Sequence, residues 1–208
     1  MNLDVNTFFE MTGMIGSICN NPEDYASFYH NYKGKRYRHD QVHNLFGYYM
    51  TRSASEAFER YVPEKRILLF SRASYIGMHR FGGIWQGDNA SWWSHLKMNV
   101  KMMPSLNMCG FLYTGADVGG FGADATEDLV LRWLEFAVFT PLLRNHSARG
   151  TRRQEVYRFS HVEKFADVIG VRYQILPYIY SEYMKAALRN TMMFNPLAFL
   201  YGEDALAG

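Results

Sequence analysis

The sequence predicts an α/β protein built around a parallel sheet, and three observations carry that reading. Short apolar runs alternate with segments of helical period from residue 41 onward. The clearer runs, "RILLFSR", "CGFLYTGAD" and "TPLLRNH", are continuous rather than alternating, as strands buried on both faces are. Each candidate strand also ends in a polar group: Arg72, Asp88, Asp117 and His146. The carboxyl ends of parallel strands are where a (β/α)8 barrel keeps its chemistry, and where an open α/β sheet binds ligands. Four candidate strands in 208 residues are half of such a barrel, which typically needs about 250 residues.

Residues 1–40 read as a loop-rich excursion, and residues 41–208 as the alternating domain. "CNNPEDYASFYHNYKGKRYRHD" is turn-rich and charged without sustained periodicity, so it is expected to be a partly helical surface segment. Next, Val42, Leu45, Phe46, Tyr49, Met50, Ala54, Ala57, Phe58 and Tyr61 recur at spacings of three and four, as on an amphipathic helix that Pro63 stops. "RILLFSR" and the glycine-interrupted "FGGIWQGD" follow as strands. A helix over 91–103 is expected to end at Pro104, and "CGFLYTGAD" is the next strand. Thr126 is the candidate N-cap of the following helix, with Glu127 and Asp128 in its first turn, where acids suit the helix dipole. After "TPLLRNH" a long helical stretch over 162–189 is expected, interrupted at Pro177 by a kink, and "MMFNPLAFLY" is expected to run extended.

Composition narrows the function classes. Twenty-two basic and 20 acidic side chains leave a formal charge of +2, which demands neither nucleic acid nor an anionic membrane as partner. No apolar run is long enough to span a bilayer, and "MNLDVNTFFEM" lacks a secretory signal's layout. Cys19 and Cys109, far apart and without CxxC spacing, fit a reducing compartment, so the expected location is cytoplasmic. Aromatic residues make up 16% of the chain. Most fill core and surface, while a minority offer flat faces on which a sugar ring can rest.

Asp88 stands out among the groups able to do chemistry. Trp85, Trp92 and Trp93 flank it in "GIWQGDNASWW". A carboxyl dehydrated by such neighbours stays protonated more readily and can act as a general acid; the rival reading is a turn aspartate in "GDN". "GADVGGFG" lacks both the GK[ST] of a phosphate loop and the GxGxxG order, so it reads as a glycine-rich rim. His39 and His43, four apart, lack a third metal ligand in the sequence and read as surface or capping histidines. The arginines of "ARGTRRQEVYR" read as a charged loop.

Together, "LLFSRASYIGMHRFGGIWQGDNASWW", "GFLYTGADVGGFG", "LLRNHS" and "GTRRQE", in this order, resemble the α-glucosidases of glycoside hydrolase family 31. The resemblance is clearest over residues 41–201. It implies a (β/α)8 barrel of which the chain holds strands five to eight, with residues 1–40 as an insertion after strand four. It further implies a retaining mechanism on terminal α-linked glucose, without a cofactor. Asp88 matches the family's general acid/base and Arg72 an arginine touching sugar and nucleophile. Trp85 and Phe121 match aromatics of the glucose pocket, and Asp117 and His146 groups that bond sugar hydroxyls. A retaining glycosidase needs a second carboxylate about 5–5.5 Å from the first. In this family that nucleophile lies in a W-x-D-M-N-E motif, which is missing from these 208 residues. By family order it belongs upstream of Met1, so the implied partner is the missing N-terminal half of the same polypeptide, and the chain alone is expected to be inactive. Alternatives within the fold are an α-xylosidase or transglucosylase; outside catalysis, a sugar-binding remnant.

Overall fold

The computed structural model describes residues 22–204; the opening stretch, Cys19 and the last four residues lie outside it. The chain divides into two compact units at residues 46 and 47.

The described part of the first unit, residues 22–46, holds more regular structure than its sequence suggests. Helix α1 (Pro22–Ser27) leads into an antiparallel hairpin of β1 (Tyr29–Tyr32) and β2 (Lys35–Arg38), followed by the single turn α2 (His39–Val42). Lys33 and Gly34 both take positive φ, 49° and 75°, which is the two-residue turn that matches hairpin twist. Three histidines line up across it. His30 Nε2 lies 2.8 Å from His39 Nδ1, and His39 Nε2 lies 3.1 Å from His43 Nδ1. His39 thus spends both ring nitrogens on its neighbours, and the Tyr25 ring packs against His39 and His43. Burial, then the neighbouring His43 and His30, push the His39 pKa below its usual value, against the opposing pull of Asp40. A histidine whose folded pKa is depressed contributes stability that is present above the unfolded pKa and lost as pH falls through the folded one. His39 is therefore expected to protonate below the ordinary value of 6.5. Histidine-ring NMR across this range, with amide exchange in β1 and β2 rising as His39 charges, checks it.

Helix α3 (Leu45–Tyr61) forms as its period predicts, but its apolar face is not core. Only Gly47 and Thr51 are buried, while Phe46, Tyr49, Met50, Phe58 and Tyr61 are exposed. Gly47 is required where it stands, because a Cβ there would meet Ala73 Cβ at 2.7 Å.

The sheet is parallel throughout this second unit. Strand β3 (Phe70–Ser71) pairs with β4 (Gly83–Trp85), and β4 with β5 (Thr114–Gly115). After Ala116, β6 (Asp117–Val118) pairs with β7 (Arg144–Asn145). The Leu142 N–H donates to Thr114 O, which carries the pairing across. Spatial order follows chain order, as in sequential βα units. β3 is bonded only to β4 and β7 only to β6, so both outer strands are edges among the described residues. Ile67, Leu68 and Phe70, at the first edge, are exposed.

The expected helix stop at Pro104 is corrected. Helix α4 (Trp93–Met108) passes through Pro104 and ends instead before Gly110, whose φ is 88°. The Ser105 hydroxyl donates to Lys101 O at 3.1 Å within that turn. Helix α6 (Val162–Arg189) likewise runs unbroken through Pro177, whose carbonyl accepts from the Ser181 hydroxyl at 2.7 Å. Around Pro104 the neighbouring Met103 and Asn107 are buried, and that packing outweighs one missing hydrogen bond. The segment after α6 is not wholly extended either: Leu197–Leu200 form a last short helix, α7.

Helix α5 (Glu127–Ala137) anchors the core. Its expected cap is present, the Thr126 hydroxyl accepting from the Leu129 N–H at 3.2 Å. Leu129, Val130, Trp133 and Leu134 turn inward against Ala116, Val118, Phe159 and Phe165. Thr126→Ala is expected to cost about 1 kcal/mol, read by urea unfolding. At the far end Arg172 donates to the carbonyls of Val138, Thr140 and Pro141, a cation satisfying helix-end acceptors. Burial lowers its pKa. Among the described residues no helix is long and apolar enough to cross a membrane.

Candidate active site

All six candidate site residues stand at or just after the carboxyl ends of the parallel strands. Arg72 follows β3, Trp85 closes β4 and Asp88 comes three residues later. Asp117 opens β6, Phe121 lies in the glycine-rich turn beyond it, and His146 follows β7.

Trp85 joins two charged pairs. The Arg72 guanidinium lies 5.9 Å from the Trp85 ring centre and 3.8 Å from Asp88 Oδ2. The Arg144 guanidinium lies 5.2 Å from the same ring, and its Nε donates to Asp117 Oδ1 at 2.6 Å. The two pairs differ in kind. Arg72 and Asp88 keep 73% and 46% of their side-chain exposure, so water screens them and the pair contributes on the order of 0–1 kcal/mol. Asp117 is fully buried, and Coulomb attraction to Arg144 offsets the cost of burying it. Asp117 Oδ2 and Trp85 Nε1 are buried without a hydrogen-bond partner among the described residues.

The expected ring of tryptophans around Asp88 is not formed. Trp92 is the N-cap residue of α4 and Trp93 its first residue; both are more than half exposed. Trp92 packs on His95. Of the three, only Trp85 turns inward, and Asp88 is half open to solvent rather than dehydrated.

Backbone pairing holds the Asp88 loop against the glycine-rich turn. Phe121 and Gly122 donate their N–H groups to Asn89 O at 2.6 and 2.9 Å, and Ser91 N–H donates to Gly122 O at 2.7 Å. The Phe121 ring then stacks on His146, centroids 5.2 Å apart and planes 28° from parallel. Behind them Gln154, 2% exposed, donates its amide to the carbonyls of Val118 and Gly120 and to Asn145 Oδ1. Gln154, Asn89 and Arg144 were not singled out by the sequence. Arg144 had the clearest signal, since it lies two positions before His146 and so on the same strand face. His39 and His43 belong to the first unit. No group of three or more His, Cys, Asp or Glu able to hold a metal occurs among the described residues.

This arrangement offers one half-exposed carboxyl beside a cation, an aromatic floor, and a buried acid and an indole with free hydrogen-bonding capacity. Such a set suits a polyhydroxylated ring. A sequence profile described as "Glycosyl hydrolases family 31 TIM-barrel domain" matches residues 8–182. Alpha-glucosidase 2 of Bacillus thermoamyloliquefaciens is 35% identical over 179 residues, 84% of this chain and 22% of its own. Human neutral alpha-glucosidase AB is 32% identical over 81% of this chain and 18% of its own. The chain thus spans about a fifth of the curated relatives it matches. Among solved structures, the family 31 alpha-glucosidase of Bacteroides thetaiotaomicron superposes with a TM-score of 0.75 at 34% identity, over 84% of this chain and 30% of its own. The Flavobacterium johnsoniae GH31 dextranase complexed with glucose gives 0.80 at 26% identity, over 90% of this chain and 24% of its own. Polar groups gathered near the carboxyl ends of parallel strands, and a profile covering most of the chain, lead to one conclusion: the chain belongs to glycoside hydrolase family 31, as part of its TIM-barrel domain.

Proposed function

We propose that these residues are strands five to eight of the (β/α)8 barrel of a retaining α-glucosidase, with residues 1–40 an insertion after strand four. Asp88 is its general acid/base. It protonates the glycosidic oxygen as the bond breaks, then takes a proton from the water that releases glucose. Arg72 neutralises charge beside it, Trp85 and Phe121 face the ring, and Asp117 and His146 receive and donate hydrogen bonds at sugar hydroxyls. The nucleophile comes from a preceding half-barrel, the partner that would also cover the edge at β3. No cofactor takes part.

The observation that carries this reading is Asp88 at a strand end, 3.8 Å from the Arg72 guanidinium and open to solvent on its other side. Asp117 does not serve as the second carboxylate, because Arg144 holds one of its oxygens and the residue is buried. The exposed apolar face of α3 and the two open edges support a missing half. The purified 208-residue chain is therefore expected to release no 4-nitrophenol from 4-nitrophenyl α-glucoside, and the complete polypeptide to release it. Turnover by the isolated chain, abolished by Asp88→Asn, overturns the half-barrel reading.

A further inference from the structure

We propose that Arg144 is the positioning residue of the sugar site, acting through Asp117 and Trp85; this rests on the reading of the site given above. Asp117 and Arg144 are directly opposed partners in the parallel pair β6–β7, so their side chains leave the same face of the sheet. The guanidinium makes a 2.6 Å bond to Asp117 Oδ1 through Nε, not through the end of its fork. Its planar group lies 5.2 Å from the Trp85 ring centre and 5.5 Å from that of Phe70. One side chain therefore fixes a carboxylate and an indole contributed by different strands.

Two polar atoms beside this contact are left unpaired. With Oδ1 held by Arg144, Asp117 Oδ2 is a buried acceptor and Trp85 Nε1 a buried donor, each without a partner among the described residues. Buried polar atoms of this kind are rare in folded proteins and call for a partner. On the reading of Asp117 as a sugar ligand, Oδ2 is the oxygen left to meet a hydroxyl, and Arg144 fixes where that oxygen lies. Without Arg144 the Asp117 carboxylate would be an unpaired buried charge, free to rotate or recruit water, and the acceptor would lose its direction. Arg144 thus touches no substrate; it sets the orientation of a group that does.

The test is a mutant cycle in the complete polypeptide: Arg144→Gln, Arg144→Lys, Asp117→Asn and the double variant Arg144→Gln/Asp117→Asn. It is read as kcat/KM on maltose with thermal unfolding alongside. Both single arginine changes are expected to lower kcat/KM by about 100-fold, the scale of a misplaced site group. Lysine keeps the charge but loses the planar fork, so a fall in its activity at near-native Tm separates positioning from folding. In the Asp117→Asn background, Arg144→Gln is expected to cost less than about 3-fold more, because coupled residues are non-additive. Arginine variants within about 3-fold of wild type, or an equal loss with and without Asp117, overturn the proposal. If the wild type hydrolyses no α-glucoside, the functional reading fails; the same cycle read by calorimetric glucose binding then decides the arginine, and absence of binding overturns both.

Discussion

Asp88→Asn in the complete polypeptide is expected to lower kcat/KM for maltose by about 10³-fold, within the usual range for losing a general acid. The sugar leaving group of maltose is a poor one and departs only as its oxygen is protonated. A carboxamide has no acidic proton to give. With 4-nitrophenyl α-glucoside the leaving group needs little protonation, so bond cleavage is expected to survive far better and kcat/KM to fall much less. The second step is different, because water attacking the glycosyl-enzyme needs a base whatever the first leaving group was. The variant is therefore expected to accumulate the covalent intermediate and to show a depressed kcat on the aryl substrate. Azide, a nucleophile that carries no proton to remove, should raise that kcat and yield α-glucosyl azide as it displaces the enzyme carboxylate. Equal losses on both substrates with no response to azide would remove Asp88 from the acid/base role.

The geometry explains why so small a change is enough. Gly87, at φ 84°, turns the chain directly after β4 and delivers Asp88 to the rim. The Arg72 guanidinium is 3.8 Å away and largely solvated, so Asp88→Asn removes one member of a charge pair without leaving a buried cation behind. The fold is expected to tolerate the substitution, and the kinetic loss can be read as chemistry.

Much of this was legible in the sequence, for physical reasons. Buried parallel strands read as apolar runs, and the residue that ends each run lies at the rim, so Arg72, Asp117 and His146 could be picked out with Asp88. The Thr126 cap was visible because a side-chain oxygen three residues before a free N–H is a local geometry. What was not legible depends on distant contacts. Trp92 and Trp93 are neighbours of Asp88 along the chain, but the start of α4 carries them outward. Pro104 looks like a stop to local rules, while α4 continues through it with Met103 and Asn107 packed on either side. The first-unit hairpin turns on Lys33–Gly34, whose weak turn signal is completed only by the pairing of Tyr29 with Arg38 and Tyr32 with Lys35. Arg144 was in plain view in "LLRNH", but only cross-strand pairing with Asp117 reveals its use.

The second large effect is expected from Gly120→Ala. Gly120 has φ 88°, where a side chain costs about 1–2 kcal/mol by itself. It also has no room: an added Cβ would lie 2.6 Å from both N and Cα of Ser91 and 2.7 Å from the carbonyl carbon of Ala90. These are backbone atoms, which cannot rotate aside. The contact can be relieved only by parting the glycine-rich turn from the loop that carries Asp88, at the cost of the hydrogen bonds to Asn89 and Ser91 and of the Ala90–Gly122 bridge. A loss of about 3–4 kcal/mol is expected by urea unfolding of the complete polypeptide, the sum of backbone strain and broken pairing. Gly150 supplies the control. It has φ 92° but nothing within 4 Å of an added Cβ, so Gly150→Ala should cost only the strain of about 1–2 kcal/mol. If the two variants are equally destabilised, close approach between the loops is not what Gly120 provides. If Gly120→Ala costs about 2 kcal/mol more than Gly150→Ala, and with it the stacking of Phe121 on His146 is lost, then the glycine is what lets the two loops close on each other.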